Sequence, residues 1–195
     1  FLKRVFTSAE VNAYANDKGV LFSSANSINI GRLFPQVAYY VSTYVSLVDN
    51  GAISEGETFD VIVPTGNFGN ILAGYFAKKM GVPIGKLICA SNQNKVLADF
   101  FETGVYDMNR DFYTTSSPSM DILLSSNFER FLFYVAKEDA AKVAQWEKDL
   151  LETGKMSVSA DELKTLRQEF EGGWIDDDET KAVINHVYND FGYLL

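Results

Sequence analysis

Two short stretches of this chain carry the residue types that hold an oxyanion. The first is Thr65-Gly66-Asn67-Phe68-Gly69-Asn70, which follows the apolar run Val61-Ile62-Val63 and Pro64 and precedes a helix-like sequence closed by Gly81. A phosphate is held well by backbone N–H groups converging at a helix N-terminus, where first-turn donors lack intrahelical partners. Gly66 and Gly69 would let the backbone curl, Asn67 and Asn70 would add amide donors, Thr65 a hydroxyl, and Phe68 would shield the site from solvent. The spacing is neither G-x-x-x-x-G-K-[ST] nor G-x-G-x-x-G, so neither of those phosphate fingerprints applies. A plain strand-to-helix turn, with glycine serving packing, is the competing account. The second stretch, residues 23–36, gathers serine and asparagine side chains, including Asn26 and Ser27, and sets Arg32 one turn into a helix. Such a cluster beside one guanidinium could hold a second anion through forked, charge-assisted bonds. Its competing account is an N-cap at Ser27 and a surface arginine.

Other chemistry-bearing residues read more blandly. Cys89 is the one cysteine and lies in the apolar run Leu87-Ile88-Cys89-Ala90, which points to a buried, reduced thiol and excludes an internal disulfide. His186, the one histidine, falls mid-helix, so no triad or zinc site can be built on histidine within this chain. The acidic run 176–179 suits a helix N-terminus better than a metal, and no metal site is expected. The polar stretch 114–121 reads as a capped connection that could line a cleft.

The elements that must position these residues follow from periodicity. A helix runs to about residue 19, a short buried strand covers Val20–Phe22, and a long helix spans about Asn29–Asp49, stopped by Asn50-Gly51. A strand over Phe59–Val63 leads through the loop at 64–69 into a helix ending near Met80. A strand over Lys86–Ala90 and a helix over Asn94–Glu102 come next. This βαβαβα rhythm with continuous apolar strands predicts an α/β fold with a doubly wound, mostly parallel sheet. Beyond residue 125 the texture is helical, with caps at Ser159 and Asp176 and no segment that reads as a buried strand. Residues 1–125 are therefore expected to form the α/β unit and 126–195 a helical appendage.

A net charge of −9 argues against a nucleic-acid partner, because phosphate neutralisation needs clustered Lys and Arg. The longest apolar stretch, 33–48, falls short of the roughly 20 residues of a membrane span and contains Pro35 and Gln36, so no membrane partner is expected. The chain starts without Met or a secretory pattern and stops on an aromatic, leucine-rich run, which reads as a piece of a longer protein.

Taken in series, the segments "SANSINIGRLFPQ", "VPTGNFGNILAGYFAKKMG", "SNQNKVLADFFETG", "TTSSPSMDIL" and "SNFERFLF" resemble the threonine synthases, pyridoxal-phosphate enzymes of the tryptophan-synthase-β-like fold (fold type II). The resemblance covers roughly residues 20–135, and the helical remainder is similar to that family's C-terminal region. It implies that Gly66, Asn67, Phe68, Gly69 and Asn70 bind the phosphate of the cofactor, pyridoxal phosphate. It implies equally that Asn26, Ser27 and Arg32 grip the phosphate of the substrate, O-phosphohomoserine. The parent reaction would lose the γ-phosphate and add water at the β-carbon, giving L-threonine. The family carries its Schiff-base lysine N-terminal to the region present here, so no residue of this chain is expected to be catalytic and the isolated chain is expected to be inactive. Alternatives are another lyase of the same fold type, or a non-catalytic phosphate-ligand-binding module. A cytoplasmic setting is expected, and removing part of a doubly wound domain would expose apolar surface and favour self-association.

Overall fold

The computed structural model describes residue 5 and residues 8–23 and 26–194. The expectations for residues 1–4, 6–7, 24–25 and 195 lie outside the described residues. At the centre is a parallel sheet of β1 (Phe59–Pro64), β2 (Ile84–Ser91) and β5 (Phe170–Trp174), in the order β1-β2-β5. Val63 lies opposite Cys89, and Cys89 lies opposite Gly172. Parallel strands need long crossovers. Helix α3 (Gly69–Lys79) makes the β1-to-β2 crossover. The β2-to-β5 connection contains α4 (Val96–Thr103), α5 (Phe128–Val135), α6 (Ala140–Thr153) and α7 (Ala160–Glu169). A small antiparallel pair, β3 (Val105–Asp107) with β4 (Lys155–Ser157), lies within the same connection. Helices α1 (Ala9–Asp17) and α2 (Ile30–Asp49) precede the sheet, and α8 (Asp177–Phe191) follows it.

The predicted α/β architecture with a parallel sheet is present, and β1, β2, α2, α3 and α4 fall where the periodicity set them. Two strand expectations are corrected. Val20–Phe22 forms no strand; these residues are exposed and in no regular element. A strand needs a ladder partner, and none of the described strands runs beside them. Conversely, residues 126–195 supply β4 and β5, so this region is not purely helical. The sequence Phe-Glu-Gly-Gly-Trp of β5 has no β-branched residue and two glycines, which argue against a strand on propensity. Tertiary packing overrides that. Phe170 is 1% exposed and stacks on Phe101 at 5.3 Å, while its ring lies 4.6 Å from Phe131.

That aromatic cluster unites the two parts of the chain. Phe68 and Phe101 come from the first part, and Phe128, Phe131 and Phe170 from the second, all buried in one core. Each well-set aromatic pair adds about 0.5–1.5 kcal/mol beyond the area it buries. The capping expectations at Ser159 and Asp176 are met: Ser159 and Glu162 form a reciprocal capping box, and the Asp176 side chain accepts from Glu179 N–H. Asn29, not Ser27, caps α2 by accepting from Gly31 N–H at 2.8 Å. No helix among the described residues is long and apolar enough to cross a membrane.

The adjacent glycines of β5 provide a test. A Cβ on Gly172 would meet the backbone of Ala98 at 2.7 Å, whereas a Cβ on Gly173 meets nothing within 4 Å. Gly172→Ala is expected to destabilise the fold by about 1–3 kcal/mol, and Gly173→Ala to be neutral or slightly stabilising. Urea denaturation of both variants measures the contrast.

Candidate functional site

The strand β1 ends at Pro64, and Thr65 N–H still donates to Ala90 carbonyl at 2.8 Å, so the loop departs from the carboxyl end of a paired strand. In open parallel sheets this is where ligands bind. From Gly66 to Ile71, no backbone N–H donates to an acceptor among the described residues. These donors line a cleft of about 210 Å³, whose walls also include Ser27, Arg32, Gln36, Ser119 and Met120. A run of oriented, unsatisfied amides at a helix N-terminus is what a phosphate requires.

The individual roles differ from the expectation in instructive ways. The left-handed residue of the turn is Phe68, at φ 61°, while neither Gly66 nor Gly69 has positive φ. The glycines serve close approach instead. A Cβ on Gly66 would lie 2.7 Å from the Ser119 carbonyl oxygen, and one on Gly69 would lie 3.3 Å from Asn127 Nδ2. Phe68 does not shield the cleft, because its ring is 1% exposed and turned into the aromatic core. Thr65 donates its hydroxyl to the Val63 carbonyl at 2.6 Å, so it is committed to the backbone. Asn70 is likewise committed. It donates Nδ2 to Gln36 Oε1 at 2.8 Å, and its Oδ1 accepts from buried Tyr40 at 2.7 Å. Burial pushes the Tyr40 phenol well above its ordinary range, so it remains a donor. Asn67 Oδ1 accepts from Ser126 at 3.2 Å.

Of the second stretch, Ser27 and Arg32 reach the cleft. Asn26 does not line it; its Oδ1 accepts from Ile28 N–H at 3.0 Å and shapes the turn before α2. The structure thus joins Ser27 and Arg32 to residues 66–70 in one cleft and leaves Asn26 in a supporting turn.

Residues that carried no assigned role hold this geometry. Ser125 Oγ donates to the Gly66 carbonyl at 2.9 Å. Asn127, fully buried, donates Nδ2 to the Asn67 carbonyl at 2.9 Å and to the Ser27 carbonyl at 2.8 Å. The run Ser125-Ser126-Asn127 before an apolar helix reads from sequence only as a helix start, although Asn127 makes no side-chain cap bond. The opposite wall, residues 113–121, is pinned by Asp121. Its carboxylate accepts from Thr115 N–H, Thr115 Oγ1, Asn92 Nδ2 and Asn94 Nδ2 at 2.8–3.1 Å. Burial alone would raise the Asp121 pKa, but the bonds from Thr115, Asn92 and Asn94 outweigh it and hold the carboxyl below its ordinary value.

The remaining candidates stay outside the cleft. Cys89 is fully buried, and burial pushes its thiol up to about 12, so it is not a nucleophile. His186 is exposed, with Nδ1 2.8 Å from Asp190. Asp177 accepts from Ser116 N–H at 2.7 Å and pairs with Lys181, and these contacts hold its carboxyl well below the usual range. Among the described residues, no cluster of His, Cys, Asp and Glu could hold a metal ion.

No protein-family profile matches the chain. Over its full length it is 46% identical to threonine synthase-like 1 of Homo sapiens, covering 26% of that protein. Over 96% of its length it is 38% identical to threonine synthase of Saccharomyces cerevisiae, covering 37% of that protein. The solved structure of PLP-bound threonine synthase from Brucella melitensis matches all of this chain with a TM-score of 0.87 and 42% identity, over 39% of its own length. Threonine synthase from yeast matches with a TM-score of 0.86 and 36% identity. The chain spans between 26% and 40% of the length of the curated relatives it matches along its whole length.

Asp121 yields a pH prediction. Because its folded pKa is lowered, its contribution is present above the ordinary aspartate value of about 3.9 and is lost as pH falls through the folded value. Hydrogen exchange at Thr115 N–H is expected to be protected at neutral pH and to lose protection only below about pH 3.9. In Asp121→Asn, protection at neutral pH is expected to fall about tenfold, since a charge-assisted acceptor is gone, and the difference from the wild type is expected to vanish where Asp121 is itself protonated.

Proposed function

From the premise that this chain is homologous over its full length to a segment of the threonine synthases, we propose that the protein containing it converts O-phospho-L-homoserine and water to L-threonine and phosphate with pyridoxal phosphate. The observation that carries this reading is the run of amides from Gly66 to Ile71 that find no acceptor among the described residues, set in one cleft with Ser27 and Arg32. The donor set suits two anions, one on the α3 N-terminus and one on the guanidinium.

The amides of residues 66–70 hold the cofactor phosphate and so fix the cofactor's position at the carboxyl end of β1. Arg32 and Ser27 hold the substrate phosphate, with Asn26 shaping the turn that presents them. Ser119 and Met120 supply a further wall of the cleft. Pyridoxal phosphate, when bound, supplies the electron sink. Arg32 stabilises the phosphate as it leaves by opposing its charge. Among the described residues, those lining the cleft include no lysine, which supports the reading that the Schiff-base lysine comes from another part of the protein and that the isolated chain is inactive. The same proposal puts the protein in the cytoplasm, a setting compatible with its single buried thiol. It extends to self-association of the isolated chain, supported by exposed apolar side chains such as Phe34, Ile62 and Tyr188.

The test is turnover by the intact protein, comparing O-phosphohomoserine with serine. Threonine and phosphate from the former alone is the expected result; product from serine alone would indicate a different lyase. Arg32→Ala is expected to raise KM for O-phosphohomoserine by about 100-fold, the loss of a forked charge-assisted pair. With the isolated chain, pyridoxal phosphate and borohydride are expected to give no stoichiometric lysine adduct. A single full adduct accompanied by turnover overturns the assignment of inactivity.

A further inference from the structure

Asn127 touches both anion-holding stretches at once. Its two amide hydrogens go to two carbonyls, of Ser27 at 2.8 Å and of Asn67 at 2.9 Å, and its Oδ1 accepts from Arg130. Only one amide orientation satisfies this arrangement, since the reverse would set an oxygen against two oxygens. Arg130 also donates Nη2 to the Ile28 carbonyl at 2.6 Å. The guanidinium therefore holds the turn before α2 directly, and again through Asn127. Asn127 is fully buried and Arg130 half-buried, and neither lines the cleft. On the other side of the loop, Gln36 and Tyr40 of α2 bond to Asn70 of α3. The cup also keeps ties of its own, Asn127 N–H to the Asn67 carbonyl and Ser125 to the Gly66 carbonyl.

We propose that Arg130, acting through Asn127 and the Ile28 carbonyl, is a positioning residue that sets the spacing between the substrate-phosphate stretch and the cofactor-phosphate cup. The inference rests on the functional reading above. Releasing Arg130 frees the turn that carries Ser27 and leads into Arg32, while the cup stays tied by Ser125 and by the Asn127 backbone. Substrate-phosphate affinity then falls and cofactor affinity holds. Misplacement of a binding group by an ångström is enough to cost up to about 100-fold.

The experiment uses the intact protein, with Arg130→Met and, independently, Asn127→Asp, which keeps the shape of the amide and removes both its donors. Kinetics with O-phosphohomoserine and equilibrium binding of pyridoxal phosphate are measured for each. Arg130→Met is expected to raise KM about tenfold, with the dissociation constant of pyridoxal phosphate changed less than about twofold. In an Arg32→Ala background the same substitution is expected to raise KM by less than it does in the wild type, because the charged group being positioned is gone and only Ser27 remains. For Arg130→Met, a lowered melting temperature with KM unchanged, or equal losses of substrate and cofactor affinity, overturns the inference while leaving the functional reading standing. Asn127→Asp with wild-type KM does the same. Wild-type protein that neither binds pyridoxal phosphate nor turns over O-phosphohomoserine overturns the functional reading and the inference with it.

Discussion

A loop whose amide hydrogens find no acceptor among the described residues keeps its shape only if its carbonyls and side chains are tied down elsewhere. Among the described residues, that constraint governs Gly66 to Ile71. Buried backbone donors are almost always satisfied, and leaving several open costs free energy that water or a ligand must offset. The loop is held open by bonds to its acceptor side: Ser125 to the Gly66 carbonyl, and the Asn127 backbone and side chain to the Asn67 carbonyl. With the carbonyls committed, the N–H groups are left at the wall of the cleft.

Phe68 shows how the turn is kept in shape. Left-handed backbone costs a non-glycine residue about 1–2 kcal/mol. Burying a phenylalanine side chain returns about 1.5–3 kcal/mol, and its ring contacts with Phe128 at 5.2 Å and Phe131 at 5.3 Å add to that. Burial therefore outweighs the strain, and the aromatic core fixes the turn that forms the cup. Because Phe128, Phe131 and Phe170 belong to the second part of the chain, the cup depends on residues 60 to 102 positions away in sequence.

Much of the fold was legible locally. Phe59–Val63 and Lys86–Ala90 read as strands because each carries an apolar run, Val61–Val63 and Leu87–Ala90. The glycine loop read as a turn into a helix because small residues follow a strand and precede helical spacing. Ser159 and Asp176 read as caps because cap chemistry is decided within four residues. The strand β5 was not legible, since Gly172-Gly173 argues against a strand until α4 is known to press on it. Val20–Phe22 failed for the converse reason: an apolar composition is not a strand without a partner.

At the site, the sequence alone determined which residue types could face an anion, Ser27, Arg32 and the amides of 66–70, because that chemistry is written in side-chain type and glycine spacing. Only the tertiary structure decided which of them share a cleft, that Asn70 and Thr65 are committed to protein bonds, and that the glycines are needed for close approach rather than for positive φ. It also gave roles to Ser125, Asn127 and Asp121. Those roles depend on hydrogen bonds between segments far apart along the chain, and local spacing carries no record of such contacts.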